Sequence, residues 1–154
     1  MFMMISMVAF GCKSKSPASV KLDKKQERMM NGNWTLVSVT NPGSDYIKVN
    51  SFELADSKCF EGSQWKLTSN NNTGNMSLAN SGATCPAFSS PITWYRNNNN
   101  QFVLKVLNAG EKARKAREGY VLDVANQTET SFELIDMVTV GGSKANVVYT
   151  FQKN

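Results

Sequence analysis

Apolar residues recur at every second position in short stretches of this sequence from Asn33 onward, and turn-forming residues separate the stretches. Successive side chains of a β-strand point to opposite faces, so this period predicts strands with one buried and one solvated face. The clearest pair is 64–68 and 75–79, which the sequence Asn-Asn-Asn-Thr-Gly joins as a hairpin. The chain is therefore predicted to fold as an all-β domain.

The predicted strands number eight or nine and cover most of the chain. They are 34–40, a weak strand at 52–54, 64–68, 75–79, 92–96, 101–107, 120–126, 131–138 and 144–152. Short turns join nearly all of them, which favours an up-and-down antiparallel barrel or a sandwich. Closure into a barrel is favoured because it leaves no exposed edge strand. One short exposed helix is expected at 109–118, and residues 22–30 suit a further short helix.

Large side chains take the inward positions of these strands, and they are the candidate ligand contacts. The set is Leu36, Trp65, Leu67, Trp94, Phe102, Leu104, Phe132, Tyr149 and Phe151. An eight-stranded barrel either holds one small ligand or is filled by its own side chains. In the first case Tyr149 or Arg96 would offer a polar group to the ligand, and in the second the set is a plain core. The pattern leaves both interpretations open.

The first ten residues are apolar except Ser6, and Gly11 and Cys12 follow them directly. This stretch is too short to span a bilayer, but it suits the apolar region of a signal peptide. A small residue before a cysteine at its end resembles the lipobox of bacterial lipoproteins, which implies cleavage between Gly11 and Cys12 and acylation of Cys12. The alternative is a buried N-terminal element with a free thiol.

We therefore predict a signal peptide at 1–11, an acylated anchor and linker at 12–29, and a barrel domain at 30–154. Lys13 follows the cysteine where an aspartate would suggest retention in the inner membrane, so we expect a lipid anchor in the outer membrane. If Cys12 is acylated, Cys59 and Cys85 remain as one pair. An exported protein meets an oxidising compartment, so these two are expected to form a disulfide.

The net charge of +5 is concentrated outside the body of the domain. Residues 13–30 carry a net charge of +4 and residues 111–118 a net charge of +2, so the remainder carries −1. A basic stretch next to a lipid anchor suits an anionic membrane surface. No nucleic-acid recognition motif accompanies the charge, so no nucleic-acid partner is expected.

The residue types needed for common catalytic mechanisms are missing or scattered. The chain contains no histidine, which removes the usual general base and the commonest zinc ligand. The carboxylates form no pair recognisable from spacing, and there is no phosphate-binding loop or nucleophile elbow. We expect no enzymatic activity, no cofactor and no metal site.

The segment Met30-Asn31-Gly32-Asn33-Trp34 resembles the Gly-x-Trp signature of lipocalins. Over about residues 30–153 the layout is similar to small lipocalin-like lipoproteins of Bacteroidetes. Further points of similarity are Cys59-Phe60, 62–66, 71–74, 109–113 and 148–153. The resemblance implies that a short helix precedes the motif and that Trp34 packs across the closed end of an eight-stranded barrel.

The sequence also departs from the lipocalin pattern at two places. It lacks the Thr-Asp-Tyr motif between middle strands, and its last strand has no arginine to stack on the tryptophan. Lys144 and Lys153 are the only cations near the ends of that strand. Two functions follow as hypotheses: a membrane-anchored barrel that binds a small apolar or amphipathic ligand, or a filled barrel that serves as an accessory subunit of a cell-envelope complex.

Overall fold

Eight strands of the computed structural model close into an antiparallel barrel, which confirms the predicted fold class. The structure describes residues 24–43, 47–79, 84–108 and 119–154. The predicted signal peptide, the anchor at Cys12 and the predicted helix at 109–118 lie outside these residues. Within the described ranges, no helix has the length and apolar character needed to cross a membrane.

The barrel strands follow one another around the wall in chain order. They are β1 (Gly32–Thr40), β4 (Gln64–Thr68), β5 (Thr73–Leu78), β6 (Phe88–Arg96), β7 (Phe102–Val106), β8 (Tyr120–Ala125), β9 (Ser131–Val140) and β10 (Ser143–Lys153). Each strand from β4 to β10 pairs with the next, and β1 pairs with both β10 and β4. The wall therefore has no free edge, which removes the exposed backbone groups that an open sheet would present.

Three further short elements lie outside the wall. The helix α1 (Lys24–Met29) precedes β1, as the sequence predicted for residues 22–30. The connection from β1 to β4 contains a two-stranded sheet of β2 (Asn50–Ser51) and β3 (Ala55–Asp56), followed by a 3-10 helix at Ser57–Phe60.

The weak strand predicted at 52–54 is wrong. Phe52 and Glu53 form the turn between β2 and β3, with φ values of 53° and 56°. Residues other than glycine rarely adopt this left-handed conformation, and each such residue costs about 1–3 kcal/mol unless its surroundings hold it there. The apolar side chain of Phe52 is typical of a strand, so nothing in the sequence indicated that this residue lies in a turn.

The two ends of the barrel differ in what covers them. At the closed end lie α1 and the connections 69–72, 97–101 and 126–130. Gln127 Nε2 donates to Gln26 O at 2.7 Å and Asn72 Nδ2 donates to Glu27 Oε1 at 2.6 Å, so two of these connections hold α1 in place. The described residues of the other connections, 41–43, 47–63, 79, 84–87, 107–108, 119 and 141–142, lie at the opposite end, which we call the open end.

Strand β8 changes its pairing partner part-way along its length. It pairs with β7 through Tyr120–Leu122, and it pairs with β9 through Asp123–Ala125. The ladder between β8 and β9 is thus formed at the closed half of the wall. The neighbouring ladder between β9 and β10 pairs ten residues of each strand.

Candidate ligand-binding site at the open end

The candidate ligand contacts predicted from the sequence all lie in the barrel interior, and each is no more than 3% exposed. They are Leu36, Trp65, Leu67, Trp94, Phe102, Leu104, Phe132, Tyr149 and Phe151. Alternation places them there because residues such as Trp65 and Leu67 occupy the inward face of each pleated strand. The interior is therefore apolar over the length of the wall.

Aromatic rings fill the closed half of the interior. The ring centroids of Trp34 and Phe132 are 4.7 Å apart, and Phe132 stacks on Phe151 at 4.7 Å. Trp65 meets Phe151 edge-on at 5.4 Å, and Trp94 stacks on Phe102 at 5.5 Å. Rings in such contact leave the closed half as a packed core.

The open half is filled by a different part of the chain. Residues 50–60, which we call the lid, bring Phe52 and Phe60 into the mouth of the barrel, where both are buried. The Phe52 ring lies 5.1 Å from Tyr120, 5.4 Å from Phe60 and 5.5 Å from Tyr149. The lid thus contributes two of the four rings in this cluster.

Two hydrogen bonds attach the tip of the lid to the wall, and near its C-terminal end Lys58 Nζ donates to Val39 O of β1. The hydroxyl groups of Ser51 and Tyr149 lie 2.5 Å apart, and Tyr120 Oη donates to Phe52 O at 3.0 Å. Burial raises the pKa of Tyr149, an effect that the hydrogen bond from Ser51 opposes. Burial and then the negative charge of Glu53 raise the pKa of Tyr120 to about 12. Both hydroxyl groups are therefore neutral at physiological pH and act as hydrogen-bonding groups without charge.

A disulfide joins Cys59 in the lid to Cys85 in the connection between β5 and β6. This confirms the pairing predicted from the cysteine count. The two Cα atoms are 5.3 Å apart, and the bond closes a loop with a sequence separation of 26. The lid is therefore fixed covalently at its C-terminal side and by hydrogen bonds at its tip.

A surface cavity of about 540 Å³ lies beside this disulfide, between the lid and the connection that follows β1. Its wall includes Asn41, Lys48, Lys58 and both half-cystines. Asn41 Nδ2 donates to Ile47 O at 3.2 Å, whereas Asn41 Oδ1 is buried without a hydrogen-bond partner. This cavity is an amphipathic depression on the surface of the open end.

Arg96 lies at the closed end, so it is not the polar group at a ligand that the sequence suggested. Its Nη1 donates to Gln127 Oε1 at 2.8 Å, and its Nη2 donates to Asn100 O at 2.7 Å. Burial lowers the pKa of Arg96, and the negative charge of Glu27 opposes this effect. The alternation of β6 predicted that the side chain of Arg96 points inward. It did not indicate that the guanidinium group would link the turns 97–101 and 126–130.

Trp34 is fully buried at the closed end. Its Nε1 donates to Met30 O at 2.8 Å, and Lys153 Nζ lies 5.6 Å from the centroid of its ring. Lys153 thus places a cation from the last strand over the ring of Trp34. Gly32 has φ +135°, and a Cβ atom there would lie 2.9 Å from Lys153 Cε, so glycine permits both the turn and the lysine.

The comparisons agree with this geometry. The model of a lipocalin-like domain matches residues 30–135, which is more than half of the chain. The chain belongs to the lipocalin-like family. A comparison of the sequence with curated proteins gave no match.

Two animal proteins are among the solved structures that match this chain. Lobster apocrustacyanin A1 superposes with a TM-score of 0.51 at 9% identity, covering 87% of this chain and 70% of that chain. A bovine odorant-binding protein, solved with its natural ligand, gives a TM-score of 0.46 at 9% identity, covering 82% and 72%. At such identity the first likeness shows the fold of this lipocalin-like chain and nothing more specific.

The residues of the lipocalin-like mouth that sequence reasoning missed are Ser51, Phe52, Phe60 and Tyr120. They come from a connection and from the start of a short strand, where alternation says little about direction. The adjacency of Phe60 to Cys59 was the one available indication, because a disulfide holds its neighbours near the barrel. Among the described residues no cluster of side chains suits a metal ion.

Proposed function

We propose that this lipocalin-like barrel binds a small apolar or amphipathic molecule in its open half, in the space that the lid now fills. The observation that carries the proposal is the origin of the rings there. Phe52 and Phe60 enter from a connection, so they can leave without any change in the wall. A packed core built only from strand residues would offer no such space.

The wall itself offers mostly small side chains in this half. Tyr120 is half-buried, and apart from Tyr149 the buried residues of the wall near the open end are Val39, Leu78, Ser90, Val106, Ala145 and Val147. Displacing two phenylalanine rings from between such residues leaves an apolar cup. The lid is also held under backbone strain at Phe52 and Glu53, which lowers the cost of moving it.

The polar end of the ligand would meet the two tyrosine hydroxyl groups. When the lid moves, Tyr149 loses Ser51 and Tyr120 loses the carbonyl group of Phe52. Each neutral hydroxyl can then donate or accept one hydrogen bond from the ligand. This supports an amphipathic ligand with a neutral polar group.

Titration of the neutral dye N-phenyl-1-naphthylamine tests this proposal. We expect saturable fluorescence enhancement that Val147→Phe abolishes, because Val147 is fully buried and faces the cup. Asn146→Phe is the matched control, since Asn146 is exposed on the outer face of the same strand. Saturable binding that survives Val147→Phe with an unchanged melting temperature would place the dye elsewhere and overturn the proposal.

We also propose that a lipid on Cys12 anchors the barrel to the outer membrane. The disulfide supports export, because such bonds persist in oxidising compartments. The apolar stretch that ends at Gly11 and Cys12 supports lipid attachment. Cys12→Ala should release the protein from the membrane fraction, and unchanged partitioning after a carbonate wash would refute the anchor.

An accessory role in an envelope complex is the second candidate, and a row of apolar residues on the outer face favours it. Tyr95 pairs with Val103 and Val103 with Val121 across β6, β7 and β8, and Val103 in the middle of the row is only 3% exposed. Tyr95, Val121 and Met137 are 45%, 49% and 59% exposed on the outer face. If this row binds a partner, Val121→Asp should abolish co-purification of a defined membrane complex and leave dye binding unchanged.

A further inference from the structure

Positive charge collects on the described residues of the closed end. Lys24 and Arg28 are exposed on α1, and Lys153 is exposed at the end of β10. Arg28, Met29 and Lys153 border one shallow depression on this end, together with Lys25 and Glu129. This surface, which we call the basic face, therefore presents four cations from two elements.

The described part of the closed end carries few carboxylates. Glu27 turns toward the barrel, where its Oε2 accepts a hydrogen bond from Arg96 N at 3.3 Å. The connections beneath the barrel are mostly uncharged amides. They include Asn70, Asn71, Asn72, Asn97, Asn98, Asn99, Asn100, Asn126 and Gln127. Glu129 is the one carboxylate side chain within the connections 69–72, 97–101 and 126–130.

The chain enters the barrel at this same end. The described residues begin at Lys24, and Cys12 lies twelve positions earlier. A chain of 12 residues spans at most about 40 Å when fully extended. A lipid on Cys12 would therefore hold the closed end within that distance of a bilayer.

We propose that the basic face docks on an anionic lipid surface, so that the open end points away from the membrane. The inference rests on the proposed lipid anchor at Cys12. The partner is the headgroup layer of anionic phospholipids, because this face offers point charges around two open depressions and one apolar side chain, Met29. Each lysine or arginine near such a surface favours the docked state by about fivefold.

The opposite orientation is the competing outcome. The described part of the connection between β1 and β4 has two lysines and three carboxylates, so this part of the open end attracts anionic lipid weakly. These residues are Lys48, Lys58, Glu53, Asp56 and Glu61. The sequence 111–118, which joins β7 to β8, carries a net charge of +2. An experiment must therefore measure which end is nearer to the lipid.

Energy transfer to vesicles measures this distance directly. The acylated full chain, purified from membranes, is labelled at Asn99→Cys in a closed-end turn or at Ser143→Cys at the open end. It is then reconstituted in phosphatidylcholine vesicles with or without 30% phosphatidylglycerol and a headgroup acceptor dye. We expect greater transfer from position 99 than from position 143 in anionic vesicles, and a smaller difference at 1 M salt.

Matched charge removal tests the named surface. The triple change of Lys24, Lys25 and Arg28 to Gln should weaken docking by about two orders of magnitude, at about fivefold per cation. The control triple change of Lys48, Lys105 and Lys144 to Gln should leave the transfer from position 99 unchanged. Greater transfer from position 143, or equal transfer that ignores lipid charge, overturns the docking.

Failure of the anchor gives a different result from failure of the docking. A chain that does not float with vesicles at all refutes the lipid on Cys12, and the docking proposal with it. A chain that floats but shows no orientation refutes the basic face alone. Thermal unfolding of each variant is measured before reconstitution, so a misfolded variant is recognised independently of ligand binding and of the lipid.

Discussion

Removing the disulfide should both destabilise the barrel and release the lid. In the chain-entropy account of cross-links, a loop with the sequence separation of 26 found between Cys59 and Cys85 stabilises by about 3.5 kcal/mol at 25 °C. For a folded region of roughly 125 residues, with an unfolding entropy of about 2 cal/mol/K per residue, this corresponds to a fall in melting temperature of about 13 °C.

The double variant Cys59→Ser/Cys85→Ser should show this fall in scanning calorimetry. Wild-type protein treated with dithiothreitol is the matched control, because it breaks the same bond without changing the sequence elsewhere. The association rate of N-phenyl-1-naphthylamine should rise in both samples, since the lid then depends on the bonds of Ser51 and Phe52 to the wall.

The reasoning fails if the melting temperature falls but the association rate does not change. In that case the disulfide stabilises the barrel without controlling entry to it. Hydrogen exchange separates the two effects, because lid release predicts faster exchange at Leu54 N and Ser57 N, which donate to Ser51 O and Val49 O. Equal exchange at these amides in the oxidised and reduced protein would refute the lid as a separate unit.

Three further predictions concern single positions. Gly74→Ala should lower the free energy of unfolding, measured with urea, by more than about 3 kcal/mol, because a Cβ atom there would overlap the carbonyl oxygen of Lys66 on β4. A smaller loss would mean that β4 and β5 separate easily at this point. Lys153→Met should lower the free energy of unfolding by about 0.5–1 kcal/mol, because it removes the cation above the ring of Trp34. Lys153→Arg keeps a cation there and should leave this free energy unchanged. Equal free energies of unfolding for the two variants would refute the contact. The pKa of Tyr120 is raised to about 12 and that of Tyr149 is also raised, so the unfolded state loses these protons first. Their contribution to stability is complete below about pH 10 and is lost as the pH rises toward 12, and the double change to Phe should flatten this alkaline slope in urea titrations.

The sequence predicted the wall of the barrel well because alternation acts over neighbouring residues. The positions of Trp94, Phe102 and Phe151 follow from a period of two and from the short turns that join their strands. The pairing of Cys59 with Cys85 followed from an even remainder of cysteines. These features are local or are fixed by a count, so a single sequence suffices to find them.

The mouth was less predictable because its contacts join distant parts of the chain. Ser51 and Tyr149 are 98 positions apart, and no local pattern relates them. Phe52 has the apolar character of a strand residue, but its positive φ places it in a turn that only the surrounding rings hold. The inward direction of Arg96 was implied by alternation, whereas the end of the barrel at which it lies depends on the whole topology.

The change of partner along β8 has a consequence for the girth of the barrel. A closed barrel can widen only where two neighbouring strands can move apart. Here that place is between β8 and β9 in the open half of the wall, because β8 pairs with β9 only through Asp123–Ala125. A ligand larger than two phenylalanine rings could be accommodated if β8 and β9 move apart in this half of the wall. Few backbone hydrogen bonds would be lost, because the two strands are not paired there. The largest ligand that fits would then depend on how far β8 can move away from β9, and not on the volume of the cavity while the lid is closed.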